Sequence, residues 1–240
     1  MRYIEQKDYR LSLVEELAEI GNKDAMFELA CHYYNIIDKG LSEEKCKLMV
    51  RYFEELAEEN KEAALLLGTM YYGGKGVEQS YGEAVKWYKM AAEKMDSYAL
   101  SNLGYCYYYG RDVEIDYAKA YYYFSQSTYL DNPNAAYKLG DMFFYGYHVK
   151  EDKNAAFFWY QEALGLAARG DNELPNIKYR LGLCHLYGHG TAKNLITALK
   201  YLQESEFEFL EQIKNGDPFA DLTLTKVKKE IETARAMLYR

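Results

Sequence analysis

Two histidines four residues apart, His185 and His189, with Cys184 beside the first, are the chain's nearest approach to a metal-binding set. Imidazoles at i and i+4 share one helix face, a spacing on which zinc sites are built. Gly188 interrupts the helix between them and no Glu follows His185, so the pair reads as turn histidines. Ser42-Glu43-Glu44-Lys45 has the Ser-x-x-Lys spacing in which an amine activates a serine nucleophile. The companion Ser-Asp-Asn and Lys-Thr-Gly motifs are absent, and Ser42 precedes a helical run, where a hydroxyl caps free amides. Gly73-Gly74-Lys75-Gly76 suits phosphate by composition, but no strand precedes it and it lacks the P-loop spacing. Carboxylates fall on surface phases or in loops, with no pair set for acid–base work. No catalytic residue, cofactor or metal is expected, and no enzyme; β-lactam or peptidoglycan-fragment hydrolysis through Ser42 is an alternative reading.

The elements that carry these residues repeat. Leu67-Gly68, Leu103-Gly104, Leu139-Gly140 and Leu181-Gly182 recur at intervals of 36, 36 and 42 residues, and an Ala follows each Leu by 17 (Ala84, Ala120, Ala156, Ala198). A fixed period of this length means one supersecondary unit stacked many times. In the best copy a helix over 62–72 buries Ala63, Leu67 and Tyr71 and stops at Gly73-Gly74. A second helix starts at a capping box, Ser80 and Glu83, and runs through Trp87, Tyr88, Ala91 and Ala92. Gly68 and Ala84 let the two helices approach closely. Gly110, Gly146 and Gly188 end the first helix of the later copies. A weaker copy sits at Ala25, Leu29 and Tyr33, with Ala30 for Gly and Leu48 for Ala. The chain is expected to be all-α over 1–240, a single array: a helix at 8–20, five repeats over 21–215, and a closing helix over 217–240 opened by Asp217-Pro218.

Composition fits an array that binds. Apolar residues make up 49% of the 240, only three are proline, and 27 are tyrosine, more than packing ordinarily calls for. A net charge of −8, with acidic runs at Glu54-Glu55, Glu58-Glu59 and Glu204 to Glu211, argues against nucleic acid and for a partner with basic flanks. No apolar leader and no run of about 18 apolar residues is present, so no membrane insertion is expected. Cys31, Cys46, Cys106 and Cys184 form no CxxC pair, which points to reduced, mostly buried thiols and a cytoplasmic home.

The pattern Ala-x3-Leu-Gly-x2-Tyr, a Gly-ended turn, then Ala-x2-Trp-Tyr and Ala-Ala is carried by Ala63, Leu67, Gly68, Tyr71, Gly74, Gly76, Ala84, Trp87, Tyr88, Ala91 and Ala92. It resembles the Sel-one-like repeat (SLR) family of the tetratricopeptide-like superfamily, over roughly 21–215. The resemblance implies an α/α right-handed superhelical solenoid that serves as a protein-interaction scaffold. Its members are often bacterial; many secreted ones bridge each repeat with a disulfide, a cysteine pattern missing here.

Helix geometry then sorts the surface. At 100° per residue, positions −4, 0, +1 and +4 around each repeat Leu cluster within about 140° and form the packed face. Positions −5, −2, +2, +5 and +6 lie opposite. They hold Tyr72, Tyr98, Tyr105, Tyr108, Tyr109, Tyr137, Phe144, Tyr145, Tyr179 and Tyr187, with Asn134 and Asn176 at the edge and Asp141 and Ser101 among the few polar members expected to be wet. These twelve aromatic and amide residues are the expected binding set: a concave, tyrosine-rich groove for a peptide or partner protein, or rings buried against one another by curvature. Self-association, with the closing helix of one chain in another chain's groove, is a second binding reading of a regulatory or adaptor protein.

Overall fold

Helix starts are written into the repeat phase. Asn22, Asn60, Asp96 and Asn132 each lie seven residues before their repeat leucine, and each side-chain oxygen accepts from an amide of the first helical turn, as at Asp96 with the Ala99 N–H (2.9 Å). A short acceptor there satisfies one of the four amides that a helix start leaves without a partner. The next helix of each pair is capped thirteen residues after the leucine, at Ser80, Asp152 and Asn194. The expected capping box is only half made. Ser80 Oγ accepts from the Glu83 N–H (3.3 Å), but Glu83 turns to Lys86 (2.9 Å), because the Ser80 N–H is already bonded to the Tyr71 carbonyl (2.9 Å).

A computed structural model describes residues 2–168, 171–217 and 220–239, and among these the elements are α-helices with one 3-10 turn, Ile37–Lys39. One compact unit, Met1–Asp116, holds α1 (Arg2–Glu19), α2 (Lys23–Ile36), α3 (Glu43–Leu56), α4 (Lys61–Gly73), α5 (Tyr81–Glu93) and α6 (Ser97–Tyr109). A second, Tyr117–Arg240, holds α7 (Tyr117–Tyr129), α8 (Pro133–Tyr145), α9 (Lys153–Leu166), α10 (Leu174–Tyr187), α11 (Leu195–Lys214) and α12 (Ala220–Leu238). The division falls between the two helices of the Leu103 repeat. The chain is thus an all-α helical-repeat fold, and α1 begins earlier than the expected 8–20. Pro218, expected to open the closing helix, lies outside the described residues.

In the pairs α4/α5, α8/α9 and α10/α11 the helices meet where the sequence withholds a side chain. A Cβ on Gly140 would lie 2.5 Å from the Tyr160 ring, one on Gly182 would lie 2.8 Å from Leu202, and one on Gly68 would strike Tyr88. Each ring or leucine stands 21 residues after the repeat Leu, and all of these leucines are buried. At the far end, Leu224, Val227, Ile231 and Ala234 of α12 pack against Leu186, Ala198, Leu202 and Phe209. The apolar face of the closing helix is filled by its own chain, so the expected docking into another copy would first require it to unpack.

The glycines separate by their surroundings. Gly140→Ala should lower stability by about 1–3 kcal/mol through overpacking against Tyr160. Gly165→Ala, where nothing lies within 4 Å of the added Cβ, should raise it by about 0.5–1 kcal/mol through helix propensity. Urea midpoints of the two variants check this; equal shifts would contradict the close approach.

Candidate functional site

The turn after the first helix of each pair shapes the surface around it. Gly74, Gly110, Gly146 and Gly188 adopt left-handed φ of 68–78°, a conformation that suits a residue without a Cβ. The carbonyl four residues before each glycine accepts from the glycine N–H and from the next amide, as Met70 does from Gly74 and from Lys75 (2.9 Å). This bend carries the following residue back over the preceding repeat, onto the aromatic five positions after that repeat's leucine. Lys75 Nζ lies 4.4 Å from the Tyr34 ring centre, and His189 lies 5.3 Å from Phe144. Arg111 lies 5.1 Å from Tyr81, whose ring is in turn 5.1 Å from Tyr72.

At Tyr34, Tyr72 and Phe144 the +5 ring is therefore a contact between repeats, so Tyr72 and Phe144 are half-buried and not open groove residues. Lys153 also stands over Phe144, at 3.5 Å from the ring centre. Tyr137 is only 5% exposed, in a core with Ala156, Tyr160, Ile177 and Leu181, so it belongs to the packing and not to a contact surface. Its position, −2, faces the ring of Tyr160 at 6.2 Å.

The accessible tyrosines lie one residue further along. Tyr109, Tyr145 and Tyr187, all at position +6, are 48%, 44% and 36% exposed, and Tyr98 at −5 is 53% exposed. Tyr72, Tyr98, Tyr105, Tyr108 and Tyr109 belong to the first unit, where Tyr105 stacks on Tyr109 (6.1 Å) and Tyr108 meets Tyr109 edge-on (4.8 Å). In the second unit Tyr145 stacks on Tyr147 (5.5 Å), and Tyr147 lies parallel to Tyr117 (4.6 Å). Tyr179 and Tyr187 are beside α12: the Tyr187 hydroxyl donates to Glu230, and burial together with that carboxylate pushes it up to about 12. Asn176 Nδ2 donates to Glu173 within its own turn (2.9 Å), and the half-buried Asn134 bonds through its backbone N–H to the Asn132 cap (3.1 Å).

A buried polar cluster sits under the second unit's strip. Asp141, expected to be wet, is 2% exposed, as is Ser101. Asp141 Oδ1 accepts from Tyr160 Oη (2.8 Å) and Arg180 Nε (2.9 Å), and Oδ2 accepts from Arg180 Nη2 (3.4 Å) and Lys138 Nζ (3.5 Å). Burial and the adjoining Asp141 hold the Tyr160 hydroxyl well above the usual phenol range. A buried carboxylate persists only when donors replace its water, and here four do. The signal was present in the sequence: Lys138 and Arg180 both stand one residue before their repeat leucine, with Asp141 at +2.

The repeat and its turns have known counterparts. The Sel1 repeat profile matches residues 61–94, 97–132, 133–165 and 178–205, more than half of the chain. The chain belongs to the Sel1 repeat family. Among solved structures, the protective antigen c5321 of uropathogenic Escherichia coli, which displays an SLR fold, is similar at 23% identity and a TM-score of 0.68, over 90% of this chain and 51% of that one. A Sel1 repeat protein of Oxalobacter formigenes is 24% identical, with a TM-score of 0.60 over 83% of this chain and 74% of that one. A Sel1 repeat protein of Klebsiella pneumoniae subsp. pneumoniae is 18% identical, at a TM-score of 0.51, over 94% and 99%. The chain thus spans about half the length of the E. coli antigen. A comparison with curated proteins returned no match. Proteins of Sel1 repeats generally serve as protein-interaction scaffolds, typically without enzymatic activity.

Within these Sel1 repeats the residues with chemical potential have structural neighbours. His185 packs between Phe157 (5.5 Å) and Tyr201 (5.9 Å), whereas His189 lies against Phe144 and Tyr187, so the two rings diverge. Among the described residues no group of His, Cys, Asp and Glu is placed to hold a metal ion. Ser42 Oγ accepts from the Lys45 N–H (3.4 Å) as a helix cap, while the Lys45 ammonium stands 5.2 Å over Tyr33. The four cysteines are unpaired, and burial pushes the Cys106 and Cys184 thiols up to about 12.

Two outcomes separate structural from accessible rings. Phe144→Ala should cost about 2 kcal/mol, since the ring is pinned between repeats, and Tyr145→Ser should stay within about 0.5 kcal/mol; thermal denaturation distinguishes them. Burial lowers the His185 pKa, so the fold favours neutral imidazole. The unfolded chain then binds more protons in acid, and this contribution, present above about pH 6.5, is lost as pH falls. Between pH 7.5 and pH 5 the wild type should lose more stability than His185→Asn, measured by urea midpoints.

Proposed function

We propose that this Sel1 repeat protein is a scaffold that holds a peptide or partner protein against tyrosines presented at the +6 position of its repeats. The observation that carries the reading is the contrast between neighbours in sequence. Tyr34 and Phe144 at +5 are half-buried under the next turn, while Tyr109, Tyr145 and Tyr187 at +6 keep between a third and a half of their surface open. These rings have neighbours of their own, Tyr105 beside Tyr109, Tyr147 beside Tyr145 and Glu230 at the Tyr187 hydroxyl, yet each leaves a large part of its surface open in phase. Tyrosine there supplies wide contact area with two side-chain torsions to fix, together with a hydroxyl for register, the properties of an interface anchor.

Tyr98 and Tyr105 extend the surface in the first unit, and Tyr179 in the second. The acidic balance of the chain, −8 overall, favours a partner with Lys or Arg near the contact. The unpaired thiols accord with a reducing compartment.

Affinity capture from extract of the source cells tests the reading, with Tyr145→Ser/Tyr187→Ser as the control. The double variant should melt near the wild-type temperature and lose its captured partner by at least about tenfold, since anchor truncations cost 2 kcal/mol or more at about 1.4 kcal/mol per decade. Undiminished capture would remove these tyrosines from the interface.

A further inference from the structure

One guanidinium in the second unit is bound along one edge and open on the other. Arg180 donates Nε and Nη2 to the two oxygens of Asp141, at 2.9 and 3.4 Å. Asp141 is in turn fixed by Tyr160 and Lys138, so the plane of the guanidinium is set before any ligand arrives. Nη1 finds no acceptor among the described residues and is not among the enclosed polar atoms, and the side chain retains 19% exposure. The rings of Tyr145 and Tyr179 flank it, with centres 5.6 and 6.0 Å from its central carbon.

The charges around Arg180 are balanced; what is left over is donor capacity. Lys138 and Arg180 face Asp141, and Glu173, bonded to Asn176, adjoins Lys138. A guanidinium carries five N–H donors in a rigid fork that matches a carboxylate, and an edge fixed in advance loses little entropy on binding. The two rings continue the strip to either side, which suits a chain passing through more than a chain ending there.

We propose that Arg180 reads a side-chain carboxylate, from an Asp or Glu within the bound segment, while Tyr145 and Tyr179 take the apolar or aromatic side chains beside it. The proposal rests on the strip reading and names its chemistry: one acidic residue between hydrophobic neighbours, within flanks that are basic.

The test uses two fluorescent pentapeptides, acetyl-Lys-Tyr-Glu-Tyr-Lys-amide and its Gln counterpart, titrated with the full chain and followed by anisotropy. The Glu peptide should bind about tenfold tighter, as a charge-assisted hydrogen bond warrants. Arg180→Lys should bring the ratio close to one. Because that substitution also disturbs Asp141, the wild-type protein supplies an independent readout: the ¹⁵N resonances of the Arg180 side chain should shift with the Glu peptide and stay fixed with Gln. Equal affinities, or an Arg180 signal that does not move, would overturn the assignment; if that equal binding is still lost in Tyr145→Ser, the strip stands without it. A Gln tetrapeptide with a free C-terminus binding as tightly as the Glu peptide would overturn the side-chain specification. Failure of both pentapeptides to bind would overturn the Arg180 proposal, whereas the strip itself is judged by partner capture.

Discussion

Three of the helix pairs close over a missing side chain. Gly68, Gly140 and Gly182 accept Tyr88, Tyr160 and Leu202 directly against their α-carbons, nearer than any Cβ would allow. Dispersion falls steeply with distance, so this approach seats a large side chain at full contact and fixes how the second helix lies on the first. It also decides which face of each first helix is used. Leu and Gly turn toward the partner helix; the residues opposite are left for the neighbouring repeat or for solvent.

The turn then divides that second face. A left-handed glycine seven residues after the leucine folds the chain back onto the previous repeat, and the next residue, Lys75 or His189, lands on a ring. One aromatic is half-buried by this contact and its neighbour in sequence is left more open. Where the turn of one repeat rests on a ring of the one before it, side chains at the next repeat position are presented without spending stability on them, which is how solenoids combine a packed frame with a variable surface. The buried Asp141 cluster extends this logic, because it holds the Arg180 edge rigid beneath exposed rings.

Much of this was legible in the sequence. The period, the helix pairs, the caps and the glycine stops follow from propensity and spacing, and the structure repeats them in α4 to α11. The helical wheel, in contrast, placed +5 and +6 on one face and could not tell them apart. They differ only through a contact made by the following repeat, some forty residues later, and single-helix geometry carries no information about it. Tyr137 and Asp141 were misplaced for a related reason: both lie on the wheel's open side, yet Tyr160, Lys138 and Arg180 close over them. The pairing of Arg180 with Asp141 spans 39 residues, close to one repeat, and reading cations and acids by repeat position would have found it.

The central claim, that accessible +6 tyrosines and not the aromatic set as a whole form the contact surface, is tested most directly by tyrosine footprinting of the captured complex. Hydroxyl-radical labelling, read by mass spectrometry with and without the partner, reports each ring separately. The account predicts protection of Tyr145 and Tyr187 on binding, with Tyr137 and Tyr160 unreactive in both states. Unchanged labelling of Tyr109, Tyr145 and Tyr187 alongside protection confined to the outer faces of α11 and α12 would contradict it.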